Sequence, residues 1–484
     1  MHGNYIDGEW TAARGGRTTP NRNPAHIDMI LGEFPDSTAA DVADAVAAAT
    51  TAFPGWRATP MPRRGEILHR ASELLSRHAS VVAEAITREQ GKTLREARGE
   101  VAWSAGILRY YGGEALQPHG EIYPPSAAGM LLYTRREPIG AVGVITPWNY
   151  PLSIPAWKIA PALVYGNTVV LKPAELTPHS AALLVAIMAE AGLPPGVLNL
   201  VQGRGPVVGE AIVGHQQLAG VSFTGSNQIG RAIQRRLVER NAKVQIELGG
   251  KNPLIVLHDA DLDQAVRWTV SGAMRMAGQK CTATSRVIVD EQVLDRFTAR
   301  LVEQVRRLRV GDGLDPATDV GPLISETQQS KVLDYVHLGI REGAEVLTGG
   351  DALEDGGYEE GYFVAPTVFG SVQPGMRIMQ EEIFGPVVAV VGARDTAHAI
   401  EIANNVPFGL TASLVTRDLS TALQYVDMIA AGVVHVNRES TALDFYAPFG
   451  GMKASSSHSR ELGKAARDFF TETKTVYLQG LSDD

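Results

Sequence analysis

The stretch TVVLKPAELTPHSAALLVAIMAEAG, positions 168–192, holds a complete strand–turn–helix unit. Thr168, Val169, Val170 and Leu171 form the apolar, β-branched run of a strand. Lys172-Pro173-Ala174-Glu175 breaks it. Thr177 is placed to cap a helix, Pro178 suits the first helical position, and Gly192 followed by Pro194 ends it. Apolar strand-like runs recur at 141–146, 197–201, 219–223 and 243–248, several of them separated by helical patterns. Strands and helices alternating at this spacing predict an α/β fold with a doubly wound, mostly parallel sheet. Such sheets bind ligands beyond the carboxyl ends of their strands, so the loops after the strands should carry the chemistry.

Outward from that unit, a second α/β rhythm begins near Pro253. A strand at 253–257 leads to a helix capped by Asp261 and running to about Ala277. A loop holding Cys281 follows, then a strand at 285–290. A helix is expected near 294–308, strands near 387–391, 412–415 and 433–436, and a helix between the last two. Toward the N-terminus, residues 1–36 read as short strands and turns. Thr38 with Asp41 three residues later is an N-cap signature, with Val42, Ala45 and Val46 on the apolar face. Helical patterns follow over 63–80 and 80–111. Gly120, Pro124 and Pro125 then interrupt the pattern, and 118–137 reads as an excursion such as a hairpin arm used for assembly. The tail, 474–478, reads as a terminal strand whose exposed edge needs a partner, for which another subunit is one source.

Composition bounds the function. A chain of 484 residues accommodates two or three domains. The formal charge of -9 argues against a dedicated nucleic-acid binder, which needs a concentrated basic surface. The single cysteine excludes an intrachain disulfide and any multi-cysteine metal site, and it suits a reducing compartment. Positions 1–10 are polar, so no signal peptide is expected. The longest apolar run, 181–189, is far too short to cross a bilayer. The expectation is a cytoplasmic enzyme without membrane or nucleic-acid partners. His, Asp and Glu residues do not fall at metal-ligand spacings, so no metal is expected.

Four strand-end loops and the cysteine loop hold the candidate chemistry. Thr146-Pro147-Trp148-Asn149-Tyr150-Pro151 presents an amide that either polarises a carbonyl and holds its oxyanion or caps its own turn. Lys172 and Glu175 either clasp the hydroxyls of a ribose or form a solvated pair. Thr224-Gly225-Ser226 opens a helical pattern and suits a pyrophosphate, although no G-x-G-x-x-G is present. Glu247, beside Gly249 and Gly250, is either a general base or a structural carboxylate receiving backbone N–H groups. Cys281, taken alone, fits a small buried hydrophobe as readily as a nucleophile. The run Ser455-Ser456-Ser457-His458 superficially suggests a serine hydrolase, but it lacks the G-x-S-x-G context.

Together with Glu381-Glu382-Ile383-Phe384-Gly385-Pro386 and Pro448-Phe449-Gly450-Gly451, these loops resemble the aldehyde dehydrogenase superfamily over essentially the whole chain, in its order and approximate spacing. The resemblance implies a Rossmann-like cofactor domain (1–117 and 139–249), an α/β catalytic domain (250–450), and a small β oligomerisation arm with the tail (118–138 and 465–484). It implies Cys281 as nucleophile, Glu247 as base, and Asn149 with the Cys281 backbone N–H as oxyanion hole. By the same match Trp148, Lys172, Glu175, Gly225, Ser226, Glu382 and Phe384 bind NAD. Glu175 at the ribose hydroxyls disfavours a 2′-phosphate, so NAD is expected over NADP. The implied assembly is a homodimer or homotetramer.

The segments around Cys281 and 448–461 are similar to the narrower branch of 2,5-dioxovalerate (α-ketoglutaric semialdehyde) dehydrogenases. The match places Tyr150, Ile154, Trp157, Leu443 and Phe449 in the substrate tunnel, an apolar and aromatic set that also suits an aromatic or medium-chain aldehyde. Succinic semialdehyde dehydrogenases are similar too but carry an arginine near the position of Trp157, which this chain lacks. Arg275 and Arg438 are the candidates to receive a substrate carboxylate. A base at Glu247 points to hydrolysis of the thioester rather than transfer to coenzyme A.

Overall fold

The computed structural model describes residues 3–480. Positions 1–2 and 481–484, which the sequence reading placed in the cofactor domain and the tail, lie outside the described residues. The first sheet has seven strands in the order Lys243–Glu247, Gly220–Thr224, Ala141–Ile145, Thr168–Lys172, Leu198–Leu200, Asn4–Ile6, Glu9–Thr11. The first five run parallel, and the N-terminal pair adds antiparallel. Every residue of Ala141–Ile145, Thr168–Lys172 and Gly220–Thr224 is buried, as a sheet covered by helices on both faces requires. The Ser153–Val164 helix is buried on every side and carries no amphipathic stripe for that reason.

The second sheet also has seven strands, ordered Glu345–Thr348, Thr367–Gly370, Val387–Ala393, Thr284–Asp290, Asn252–Val256, Thr411–Val415, Val433–Val436. Only its first pairing is antiparallel. The chain passes from one sheet to the other between Glu247 and Asn252, across two glycines. A three-stranded antiparallel sheet joins Ile122–Tyr123, Met130–Pro138 and Thr471–Gln479. No helix among the described residues is long and apolar enough to cross a membrane.

Four local expectations are corrected. The helical region 80–111 is two helices, Ala79–Gln90 and Leu94–Glu114. Gly91, at φ 91°, closes the first, and a capping box of Thr93 and Glu96 opens the second. Thr177 does not cap the Pro178–Glu190 helix: its hydroxyl has no partner. The buried carboxylate of Glu89 takes that role, accepting from His179 N at 3.0 Å and Ser180 N at 2.7 Å. The helix begun at Asp261 stops at Met274 rather than near Ala277. The tail strand finds its partner in its own chain, against Met130–Pro138, although its outer edge stays open.

Candidate active site

Cys281 lies on a loop built with unusual backbone geometry. Met276, Ala277 and Gly278 are consecutive residues at φ 55°, 50° and 67°. Only the glycine takes that region without a steric cost. Surrounding bonds hold the other two there. Met276 N donates to Glu96 Oε1 at 3.0 Å, and Gln279 Oε1 accepts from Ile324 N at 3.0 Å. Asn252 Nδ2 donates to Cys281 O at 2.8 Å and to Ala283 O at 2.9 Å. The left-handed turn reverses the chain abruptly, so the cysteine follows the helix without continuing its direction.

Asn149 reaches this loop from the first sheet. Its Nδ2 donates to Gln279 O at 3.1 Å, so the side chain bridges two loops and does not cap its own turn. The loop under it is anchored by a buried ion pair. Lys92 Nζ lies 2.5 Å from Glu100 Oε2, donates to Asn149 O at 2.8 Å, and sits 4.4 Å from the centroid of the Tyr150 ring. The other Glu100 oxygen accepts from Leu152 N and Ser153 N, each at 3.0 Å. One helix, Leu94–Glu114, therefore braces both loops, through Glu96 on the cysteine side and Glu100 on the asparagine side.

Glu247 ends its strand almost fully buried. Its Oε2 accepts from Ser456 Oγ, and its Oε1 has no partner. Burial and then the neighbouring Glu461 hold this carboxyl well above the usual range. Glu461 is itself paired with buried Lys158, which donates to Ser222 Oγ at 2.8 Å. The serine run that superficially suggested a hydrolase is a clamp on the Glu247 strand. Ser457 N donates to Ile246 O at 2.8 Å, Ser457 Oγ accepts from Ile246 N at 3.0 Å, and Leu248 N donates to Ser455 O at 2.8 Å.

The Cys281 thiol is half-buried, and burial pushes it up to about 12, with Glu382 and Glu247 adding to the shift. An acid at that level needs a base. Glu247, raised by its own surroundings, is a better proton acceptor than an exposed carboxylate.

The cofactor candidates gather at the carboxyl ends of the first sheet and across from it. Lys172 Nζ lies 3.1 Å from Glu175 Oε2, with the lysine buried and the glutamate exposed, so the pair is not simply solvated. Ser226 precedes the Asn227–Glu239 helix, and its side chain makes no capping bond, leaving the helix's first N–H groups to an anion. Gly225 N donates to Glu247 O at 3.2 Å. The buried hydroxyls of Thr146 and Thr224, at strand ends, have no partner. These orphaned donors, at a helix start and near the Lys172–Glu175 pair, fit a dinucleotide. On the opposite side Glu382 Oε1 accepts from Gly250 N at 3.0 Å. Trp148 and Phe384 meet edge to face with centroids 5.4 Å apart, Phe384 being held at φ 64°. Gln328 Nε2 fixes that strained residue through its carbonyl at 2.8 Å.

A cleft of about 280 Å³ opens onto Cys281. Tyr150, Trp157 and Leu443, three of the five residues proposed for the substrate tunnel, line it. Ile154 and Phe449 do not: both are buried behind it, Phe449 with its ring 5.8 Å from Trp157. Arg275 lines the cleft, whereas Arg438 lies outside it, 3.9 Å from Asp444. Glu96, Gly99, Glu100 and Trp103 were missed. Their i, i+3, i+4, i+7 spacing marks one helix face, and a tryptophan among glutamates on that face was the available signal. Lys280 also lines the cleft.

The aldehyde dehydrogenase family model matches residues 10–476. The chain is 47% identical over 476 residues to the alpha-ketoglutaric semialdehyde dehydrogenase of Bacillus subtilis (strain 168), covering 98% of each. It is 45% identical over 475 residues to the alpha-ketoglutarate semialdehyde dehydrogenase of Haloferax volcanii, again covering 98% of each. Its fold is similar to the crystal structure of betaine aldehyde dehydrogenase from Staphylococcus aureus in complex with NAD+, with TM-score 0.96, 33% identity, and coverage of 99% of this chain and 95% of that one.

Proposed function

This chain belongs to the aldehyde dehydrogenase family, and from that premise we propose how its residues oxidise an aldehyde to a carboxylic acid. The observation that carries the reading is the Asn149–Gln279 contact, which unites a strand-end amide of one sheet with the cysteine loop of the other. Glu247 takes the Cys281 proton, and the thiolate adds to the aldehyde carbon, giving a thiohemiacetal. Asn149 Nδ2 and the Cys281 backbone N–H hold its oxyanion. NAD, when bound, supplies the electron acceptor for the hydride. A thioester remains on Cys281, and Glu247, once it has released the thiol proton to solvent, activates the water that releases the acid. The thiol suits both halves, being a strong nucleophile as thiolate and a good leaving group from the thioester.

Lys172 and Glu175 would hold the adenosine ribose, Gly225 and Ser226 the pyrophosphate, Glu382 the nicotinamide ribose, and Trp148 with Phe384 the side of the ring. Relatives solved with NAD+ and the carboxylate of Glu175 both support NAD as the cofactor.

For substrate we read 2,5-dioxovalerate. Relatives carrying that activity in their names support it, and so does Arg275 on the wall of the Cys281 cleft. The aromatic lining alone would suit a neutral aldehyde equally well; a cation there would not. We further read residues 1–117 and 139–249 as the cofactor domain, 250–450 as the catalytic domain, and 118–138 with the tail as an arm of a cytoplasmic homodimer or homotetramer. Exposed Ile122, Leu131, Tyr477 and Leu478 on the small sheet support assembly through that face.

The test is Cys281→Ala, assayed for NADH formation and separately for NAD binding. Lost turnover with retained binding is expected; retained turnover would exclude the mechanism. A panel of 2,5-dioxovalerate, succinic semialdehyde and benzaldehyde, each with NAD and NADP, tests substrate and cofactor together.

A further inference from the structure

Lys280, immediately before the nucleophile, is an ammonium buried to 5% exposure. Its Nζ donates to one backbone carbonyl, Ser271 O, at 3.2 Å. It forms no ion pair with any carboxylate among the described residues; Glu439 and Glu96 act on it only through space. Arg275, on the same cleft wall, is likewise without an ion-pair partner among the described residues. Burying a charged amine without a counter-ion is costly, and the usual resolution is a partner or loss of the proton. Burial does press this amine down, to about 8, while Glu439 and Glu96 oppose the shift, so it keeps most of its charge near neutral pH.

Two cations without carboxylate partners therefore share one cleft with the reacting thiol. Trp103, Tyr150, Trp157 and Leu443 form the aromatic and apolar part of the wall and lower the local dielectric. Glu96, Glu100 and Glu439 line it too, but Glu100 is paired with Lys92 and Glu96 accepts from the backbone of Met276 and Thr93. An anion entering there would meet a charge-assisted donor already stripped of water.

We propose that Lys280 is a specificity-determining residue that, with Arg275, receives the carboxylate of a short aldehyde acid while Cys281 engages its other end. The proposal rests on the reading that the substrate carries a carboxylate. It assigns Lys280 to the substrate's anionic end, not to activation of the adjacent thiol. Its side chain is turned back toward the helix carbonyl of Ser271 and forms no hydrogen bond to the sulfur.

The experiment compares kcat/KM for 2,5-dioxovalerate with that for pentanal, a neutral aldehyde of the same chain length, in wild type, Lys280→Gln and Lys280→Arg. In wild type the ratio should favour the acid. Lys280→Gln should lower that ratio by about tenfold to a hundredfold, mainly through KM for the acid, and Lys280→Arg should restore much of it. Equal losses on both aldehydes would mean that the amine serves the thiol or the loop, and would overturn the proposal. So would an unchanged ratio. A wild type that shows no preference for the acid overturns the substrate reading itself, and the role of Lys280 falls with it. A preference that survives in Lys280→Gln overturns the role of Lys280 alone. Because the readout is a ratio within one protein preparation, a partly misfolded variant does not obscure it.

Discussion

Ser456 donates its hydroxyl proton to the carboxylate of Glu247, and no other side chain hydrogen-bonds that carboxylate among the described residues. The contact joins the base to the C-terminal segment 455–457, which is clamped along the Glu247 strand by backbone bonds. It favours the charged form of a group that burial and Glu461 both push toward neutrality. Ser456→Ala should therefore raise the Glu247 carboxyl further. The base form is then lost at a higher pH as the solution is acidified, so the acidic limb of the kcat profile moves upward. Turnover at pH 7 should fall about tenfold, in keeping with a lost charge-assisted hydrogen bond. An identical pH profile in the variant would show that Ser456 only packs the strand.

The Lys92–Glu100 pair is buried completely and carries the asparagine loop. Removing one partner, as in Lys92→Met or Glu100→Gln, leaves an uncompensated charge or a set of orphaned backbone groups. Each should cost about 3–5 kcal/mol in denaturant unfolding. The double variant should cost clearly less than the sum. All three should lower kcat more than KM, because Asn149 loses its fixed position. Strict additivity of the two losses would contradict direct coupling.

Free thiol reactivity follows from the position of Cys281. Burial, Glu382 and Glu247 all raise its pKa, to about 12. In the cofactor-free protein, alkylation by iodoacetamide should be slow at pH 7 and should keep rising with pH through 9 without a plateau. A plateau below pH 8 would show a thiolate stabilised by groups other than those facing it here.

Cofactor choice rests on Glu175. Its carboxylate, held 3.1 Å from Lys172, would repel a 2′-phosphate. Glu175→Gln should shift the ratio of kcat/KM values toward NADP by at least about tenfold, consistent with relief of a like-charge contact. An unchanged ratio would remove Glu175 from the ribose site.

The first sheet could be read from sequence because four of its strands, Ala141–Ile145, Thr168–Lys172, Gly220–Thr224 and Lys243–Glu247, are short runs closed within two residues by proline or glycine, and candidate chemistry follows each. Asn149 and Glu247 were found as strand-end or loop residues for that reason. Other parts left weaker signals. Met276 and Ala277 have no preference for positive φ, so nothing in their identity marks the left-handed turn that aims the cysteine. Glu89 caps a helix about ninety positions later in the chain, a long-range contact that displaces the local candidate Thr177. Glu96, Glu100 and Trp103 read as one face of an amphipathic helix, and only packing shows that the face borders the substrate cleft. Ser456 was dismissed with a false hydrolase motif, yet it holds the base.

The central claim is that Cys281 carries the acyl group between oxidation and hydrolysis. Because the chain has one cysteine, peptide mass spectrometry after acid quench reads it without ambiguity. Wild type mixed with NAD and the aldehyde and quenched in acid within the first turnover should hold the thioester, because Glu247 acts in both half-reactions and its removal would block acylation as well as hydrolysis. The account predicts an acyl adduct on the peptide containing Cys281, formed only with both substrates present and removed by hydroxylamine. Stoichiometric NADH release with no adduct on that peptide would contradict it.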